Sequence, residues 1–224
     1  MRGLALFAFL PGHAVACALE LILATDVSGS IDHIEYAVQA EGLAAAFEDQ
    51  RLWQAVELLE GGMIVTHMQW SGTEDQRQTT AWHKVSDPAS AQAFARAIRA
   101  ERRIWRDYST AIGMALQKTA EIGRSAPEIC KRRVIDVSGD GVSNEGEPPR
   151  AIADGLAAQG YTINGLAIRG AVPDPAEFYR TDVIAGPGAF VEVATGFEDY
   201  PEAILRKLLR EIDPPLAVSH AAQE

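Results

Sequence analysis

The sequence predicts an α/β fold: a doubly wound, mainly parallel six-stranded sheet with one short antiparallel edge strand and helices on both faces. Short apolar segments, typical of strands buried on both faces, alternate along the chain with helical patterns. The 224 residues are 47% apolar, and no repeat or long linker divides them, which favours one domain over residues 19–213. Residues 214–224 are predicted to be a polar tail.

The predicted strands lie at residues 19–24, 63–70, 79–85, 133–137, 162–168 and 189–193. Gly61-Gly62 precedes the second strand and Ser71-Gly72 follows it, as turn residues should. The third segment is short and follows closely, which predicts an edge hairpin with the second. The remaining strands are separated by helical patterns, which predicts parallel pairing.

The predicted helices lie at residues 32–47, 88–100, 110–122, 148–159 and 203–212. Asp32 with Glu35 three residues later forms a capping-box signal for the first helix. We expect the inner face of this helix to carry Ile34, Ala37, Val38 and Ala45. The last helix has one clearly apolar face and stops at Pro214.

Polar side chains follow the first predicted strand at alternate positions. Asp26, Ser28 and Ser30 place one carboxylate and two hydroxyls in a loop that can turn all three oxygens toward one point. Such oxygen ligands suit Mg²⁺, Mn²⁺ or Ca²⁺ and suit zinc poorly. The carboxyl ends of strands are also where open α/β sheets bind ligands.

Two further segments extend this pattern. Thr110 precedes an Ala/Leu-containing helix, and Asp140 follows the apolar strand at 133–137, within Ser-Gly-Asp-Gly. Together with Asp-x-Ser-x-Ser, these segments resemble the three-part metal-ion-dependent adhesion site of the von Willebrand factor type A (VWA) domain. The resemblance covers nearly the whole chain after residue 18. Within the VWA-like proteins, the chain resembles a secreted bacterial group classed as domain of unknown function 1194.

The resemblance implies a VWA/Rossmann-like fold and a divalent cation, Mg²⁺ or else Mn²⁺ or Ca²⁺. The ligands it implies are Asp26, Ser28, Ser30, Thr110 and Asp140. It further implies that the cation bridges to an acidic residue of a protein partner, so that the protein recognises a partner and is not an enzyme. If only one acid binds the cation directly, the ion keeps positive character and an exchangeable position for that partner.

Arginine and aromatic residues crowd just before Thr110. We expect a rim beside the cation that selects an acidic partner segment, formed by Arg102, Arg103, Trp105, Arg106 and Tyr108, because these residue types are common at interface hot spots. The alternative is an ordinary helix C-terminus whose arginines complement the helix dipole.

The first 18 residues have the pattern of a secretory signal peptide. A short basic start precedes an apolar run, and small residues allow cleavage after Ala16 or Ala18. No later apolar run approaches the length of a membrane span. We therefore expect an exported protein, periplasmic or extracellular. A net charge of −11 argues against nucleic-acid binding.

Cys17 and Cys130 are the only cysteines. If their strands are parallel neighbours, as in VWA sheets, both thiols lie at the edge away from the cation, and an oxidising compartment favours a disulfide. Cleavage after Ala18 would instead remove Cys17, and a lipid anchor at Cys17 is a third alternative.

Two rival functions remain open from the sequence. One is a Mg²⁺-dependent phosphatase or hydrolase, although Ser28 stands where an aspartyl-phosphate enzyme needs a general acid, and no G-x-S-x-G motif is present. The other is a structural envelope protein whose metal only ties loops together. The histidines lack zinc-ligand spacing, and Asp136, inside a strand, is expected to be a structural acid.

Overall fold

A computed structural model describes residues 17–212. The first 16 residues of the predicted signal peptide at 1–18 and the predicted tail at 214–224 lie outside them. The described strands are β1 Cys17–Asp26, β2 Met63–Trp70, β3 Gln76–Val85, β4 Cys130–Gly139, β5 Tyr161–Ile168 and β6 Val191–Ala194. They form one sheet in the order β3-β2-β1-β4-β5-β6. Only the β2–β3 pair is antiparallel, so the predicted fold class is confirmed.

The described α-helices are α1 His33–Glu48, α2 Gln50–Glu57, α3 Pro88–Ala100, α4 Ile112–Arg124, α5 Pro149–Ala158, α6 Pro175–Phe178 and α7 Tyr200–Ile212. A π-helical turn, Tyr179–Val183, follows α6, and a 3₁₀ turn, Phe197–Asp199, precedes α7. None of the helices within 17–212 has the length and apolar character that a membrane crossing requires.

The sheet is covered on both faces, and alternate residues of β1 point to opposite layers. Leu21 and Leu23 pack in a buried cluster with residues of α1, α2, α3 and α7. Ile22 and Ala24 belong to a second cluster with residues of α4, α5 and α6. A central strand buried on both faces explains why its sequence is continuously apolar.

The predicted inner face of α1 is wrong. Ile34 is 61% exposed, whereas Gln39, Gly42, Leu43, Ala44, Ala46 and Phe47 are buried. The helix is rich in alanine and has little apolar asymmetry, so its sequence does not single out one face. A Cβ on Gly42 would lie 3.1 Å from Pro201 Cα, which shows that the contact with α7 decides the orientation. The predicted capping box of Asp32 and Glu35 is present.

Other boundaries also differ from the predictions. The edge strand β3 is ten residues long and begins at Gln76, because its antiparallel pairing with β2 continues past the apolar part of the sequence. Helix α4 begins at Ile112, which leaves Thr110 in the preceding loop. The amphipathic α2, capped by Asp49, was not predicted.

Candidate metal centre

The candidate site lies where the two central strands end. β1 and β4 are parallel neighbours, with Thr25 opposite Ser138. Asp26 is the last residue of β1, and Asp140 directly follows β4. After β1 the chain continues to β2 on one side, and after β4 it continues to β5 on the other side. Open α/β sheets form their ligand crevice between two such strands.

A chain of short contacts joins four of the five predicted ligands. Asp26 Oδ1 accepts a hydrogen bond from the Ser28 backbone N–H at 2.7 Å. The Ser28 and Ser30 hydroxyl oxygens are 3.2 Å apart. Ser30 Oγ in turn donates to Asp140 Oδ1 at 2.8 Å. The structure thus brings the loop after β1 against the loop after β4.

The two carboxylates are electrostatically coupled. Burial and, after it, the charge of Asp140 raise the pKa of Asp26 to about 7, although hydrogen bonds from Ser28 and the charge of Arg103 oppose the rise. Burial also raises the pKa of Asp140, against the hydrogen bond from Ser30. Both acids are therefore held in an environment where negative charge is unfavourable unless a cation is near.

The fifth predicted ligand, Thr110, is held against the Asp140 side of the site by its backbone. Its N–H donates to Asn144 Oδ1 at 2.8 Å, and its carbonyl accepts from the Asn144 N–H at 2.9 Å. Thr110 itself is 6% exposed. Asn144, which sequence reasoning did not single out, therefore fixes the loop before α4 to the loop after β4.

The structure divides the predicted rim into a support and an exposed part. The Arg103 guanidinium donates to the carbonyls of Val27, Ser28 and Trp105 at 2.8–3.1 Å. It therefore holds the backbone of the Asp26–Ser30 loop, and Arg103 is partly buried. Trp105 is half-buried, with the Arg77 guanidinium 5.9 Å from its ring centre.

The exposed part of the rim consists of Arg102, Arg106 and Tyr108. Tyr108 is 80% exposed, yet its ring begins directly beside the metal loop. A Cβ on Gly29 would lie 2.9 Å from Tyr108 Cγ and 2.8 Å from the Arg106 carbonyl oxygen. Glycine is therefore required at this position for the rim to approach the loop.

A buried tyrosine that the sequence did not reveal lies under the site. A Cβ on Gly139 would lie 2.7 Å from Tyr179 Oη and 2.9 Å from Asp26 Oδ2. A Cβ on Gly165 would lie 2.6 Å from the same ring. The only signal in the sequence is this pair of glycines on adjacent strands, which leave room for a large side chain.

Thr25 of β1, His67 of β2 and Glu101, which follows α3, form a buried hydrogen-bonded triad. His67 Nε2 is 2.9 Å from Thr25 Oγ1, and His67 Nδ1 is 2.9 Å from Glu101 Oε2. All three side chains are buried, and the adjoining cavity is only about 10 Å³. That is room for about one water molecule, so these three side chains border no cavity of substrate size in the described part of the chain.

At the opposite edge of the sheet, Cys17 and Cys130 are paired residues of β1 and β4. They form a disulfide, with Cα atoms 4.3 Å apart and a sequence separation of 113. Both are buried, in a small cluster with Ile64. The disulfide and the candidate metal site therefore lie at opposite ends of the same two strands.

A family model described as a protein of unknown function (DUF1194) matches residues 16–216. The chain belongs to this family. No curated protein matches the sequence.

Solved structures share the fold. Proximal thread matrix protein 1 from the mussel byssus matches with a TM-score of 0.66 and 18% identity over 88% of this chain and 48% of its own. A related structure of that protein has a zinc-occupied MIDAS (adhesion-site) motif. A VWA protein from Catenulispora acidiphila matches at TM-score 0.59 and 20% identity, over 88% of this chain and 43% of its own.

The pilus adhesin SpaC from Lactobacillus rhamnosus GG matches at TM-score 0.62 and 13% identity, over 88% of this chain and 31% of its own. This chain thus spans less than half the length of each of these proteins. The likenesses establish a VWA-like fold for this domain.

The residues present fit a hard divalent cation. Asp26 Oδ2 is buried and has no hydrogen-bond partner among residues 17–212. The other candidate donors are hydroxyl and carboxylate oxygens, which Mg²⁺, Mn²⁺ and Ca²⁺ prefer. In the described part of the chain, no group of three or more His, Cys, Asp or Glu side chains is arranged to hold a metal.

Proposed function

We propose that this protein binds a divalent cation, Mg²⁺ or else Mn²⁺ or Ca²⁺, and uses it to bridge to an acidic residue of a protein partner. The proposed ligands are Asp26, Ser28, Ser30, Thr110 and Asp140. The observation that carries the proposal is the buried Asp26 Oδ2, which has no partner among the described residues and lies in the field of a second carboxylate.

The charge balance of the site favours recognition over permanent sequestration. The two acids offer at most two negative charges, and the three hydroxyls are neutral. If the ion contacts one acid directly and the other through water, it retains positive character, since Mg²⁺ keeps several waters in most sites. A partner carboxylate could then replace one water and form a charge-assisted contact.

The exposed part of the rim also supports recognition of an acidic partner. Arg106 and Tyr108 lie beside Gly29 of the metal loop, and both are exposed. A basic and an aromatic side chain next to a cation would attract an acidic segment and give it a surface to pack on. Arg102 is a further member of this rim, whereas Arg103 acts by holding the loop.

The nature of the relatives agrees with this function. One structural neighbour is a pilus adhesin, and another has zinc in its adhesion-site motif. Zinc therefore belongs among the ions to be tested here, although the oxygen-only donors favour Mg²⁺, Mn²⁺ or Ca²⁺.

We further propose that the protein is exported to the periplasm or the cell exterior. The predicted signal peptide and the Cys17–Cys130 disulfide both suit an oxidising compartment. The disulfide uses the sulfur that a lipid anchor at Cys17 would need, and it requires that Cys17 is retained. It therefore favours cleavage after Ala16 over cleavage after Ala18 and over a lipid anchor.

The decisive experiment is titration of the purified protein with MgCl₂, MnCl₂, CaCl₂ and ZnCl₂ in a calorimeter, followed by affinity capture from envelope extract with Mg²⁺ or EDTA. We expect metal uptake, metal-dependent recovery of one protein, and loss of both in Asp140→Asn. Circular dichroism would verify that the variant folds. Absence of metal uptake by the folded wild type would overturn the proposal.

The same variants separate the two rival functions. A phosphatase would hydrolyse p-nitrophenyl phosphate with Mg²⁺ and lose this activity in Asp26→Asn. A purely structural metal would leave partner capture intact in Asp140→Asn. We expect neither result.

A further inference from the structure

A cleft of about 590 Å³ opens directly beside the candidate metal site. Ser30 and Asp140 form one end of it. From there it runs between α1 and the loops that follow β5 and β6, and we refer to it as the α1 cleft. Because two proposed metal ligands line the cleft, any segment bound at the metal can continue into it.

Apolar side chains form part of the walls of the α1 cleft. Ile34 is 61% exposed, and Val38 and Phe197 are partly buried. Ala171 lines the cleft from the loop after β5, and the next residue, Val172, is 97% exposed. Neighbouring exposed apolar side chains around a concave surface are typical of protein interaction sites.

The unpaired charge in the α1 cleft is negative. Arg169 forms an ion pair with Asp174 at 3.2 Å, and Glu35 accepts a hydrogen bond from the Asp32 backbone. Glu198 is exposed, and its carboxylate has no hydrogen bond or ion pair within residues 17–212. Its Oε2 would lie 2.8 Å from a Cβ on Gly196, so the carboxylate lies over the cleft wall.

We propose that the α1 cleft binds an extended segment of the partner protein that carries three kinds of side chain. An acidic residue reaches the metal, an apolar residue packs on Ile34 and Phe197, and a basic residue pairs with Glu198. This inference rests on the proposed function, because the acidic end of the segment needs the cation. It adds the neighbouring residues that give the partner its specificity.

The test uses fluorescent, end-capped synthetic peptides of a Gly/Ser background in which Glu, Leu and Lys are placed at each of several spacings. Anisotropy is measured with MnCl₂ and with EDTA. We expect binding by the best spacing to need the metal and to weaken about tenfold when Leu becomes Ser, because the buried methylene groups are lost. Replacing the peptide Lys by Glu should weaken binding by about two- to fivefold, as for an exposed ion pair.

The protein variant Glu198→Lys should reverse this charge preference, so that the peptide with Glu in place of Lys binds better. Glu57→Lys is the matched control, because Glu57 is also exposed but lies at the end of α2 and does not line the cleft. It makes the same charge change and should leave the preference unaltered. Both substitutions are at exposed positions, so both variants should fold.

The outcomes separate the two proposals. Metal-dependent binding that ignores Leu and Lys, and that Glu198→Lys does not alter, would overturn the α1-cleft proposal and leave the proposed function standing. Absence of metal-dependent binding by every Glu peptide, together with no metal uptake in calorimetry, would overturn both. If the protein instead dimerises without any peptide and Ile34→Glu blocks the dimer, that result would overturn binding of a partner segment and show that a second copy of this chain occupies the α1 cleft.

Discussion

Substituting Asp26 by Asn should stabilise the protein in EDTA and abolish its stabilisation by metal. Burial and Asp140 raise the pKa of Asp26 from its ordinary value of 3.8 to about 7. The folded state therefore binds a proton more tightly than the unfolded state, and the ionised form costs stability. This cost begins as the pH rises above 3.8 and is complete above pH 7.

The magnitude follows from the same pKa values. A rise from 3.8 to about 7 corresponds to about 4 kcal/mol at pH 8. The Asn oxygen can still accept from the Ser28 N–H, but the new amide N–H₂ needs an acceptor, and Tyr179 Oη is the nearby candidate. We therefore expect a net gain of about 2–4 kcal/mol at pH 8, which shrinks toward zero near pH 4.

The assay is urea unfolding followed by tryptophan fluorescence between pH 4 and pH 8 in EDTA, repeated with MgCl₂ or MnCl₂. Added metal should stabilise the wild type by mass action and leave Asp26→Asn unchanged. Glu57→Gln, which changes an exposed acid, should match the wild type throughout. A variant that is less stable than the wild type at pH 8 in EDTA, or a difference that does not vary with pH, would refute the reasoning.

Three further predictions concern the stability of the fold and the support of the metal loop. The double variant Cys17→Ser/Cys130→Ser should lose about 5 kcal/mol of unfolding free energy in urea, because its 113-residue separation closes a long loop in the unfolded chain; unchanged stability would contradict this. Burial opposes ionisation of Glu101, but the charge and hydrogen bond of its histidine partner lower its pKa to about 2. Glu101→Gln should therefore lower the free energy of unfolding by about 3 kcal/mol at pH 5.5. This difference from the wild type should narrow as the pH falls from 4.5 toward 2. A difference that stays constant over this pH range would contradict the prediction. Arg103→Lys keeps the charge but replaces the planar guanidinium, whose Nε and Nη2 reach separate carbonyls, by a single ammonium nitrogen that cannot reproduce this geometry. Calorimetry should therefore show about tenfold weaker Mn²⁺ binding, whereas Arg106→Lys should bind Mn²⁺ as the wild type does.

The approach of the candidate ligands to one another could be predicted from the sequence, whereas their role as ligands stays a prediction. Asp26, Ser28 and Ser30 occupy one loop, and Asp140 follows a strand whose apolar sequence is easy to recognise. Parallel strands bring their carboxyl ends to one edge, so the approximate meeting of these loops follows from the fold class. The sheet order itself needed the family resemblance, because hydrophobic periodicity does not say which strands are neighbours.

The supporting residues could not be predicted because their partners are distant in sequence. Tyr179 comes from a π-helical turn after β5, and Arg103 reaches carbonyls more than 70 positions earlier. His67 meets Glu101 across the end of α3. None of these contacts leaves a periodic pattern. By contrast, α2 had a readable signal in the Asp49 cap and the Leu52–Val56 spacing.

A comparison of Asp26 with Asp136, the buried aspartate of β4, indicates why we expect a cation from solution at Asp26. Asp136 of β4 is also buried, and burial, opposed by Lys207, raises its pKa to about 7. Its Oδ1, however, is 2.6 Å from the ammonium of Lys207, a fully buried residue of α7 that also contacts Glu211 at 2.7 Å. The protein thus supplies its own cation to Asp136.

Among residues 17–212, no ammonium or guanidinium forms such an ion pair with Asp26. The negative charge of Asp26 is stabilised mainly by the Ser28 hydrogen bonds and, more weakly, by the charge of Arg103, while Asp140 adds a second negative charge. A buried carboxylate without a compensating cation lowers stability, and such costs are expected at functional sites, where a ligand completes the charge balance. The contrast between the two aspartates therefore favours an ion that comes from solution and binds at the open edge of the sheet, where a partner can also reach it.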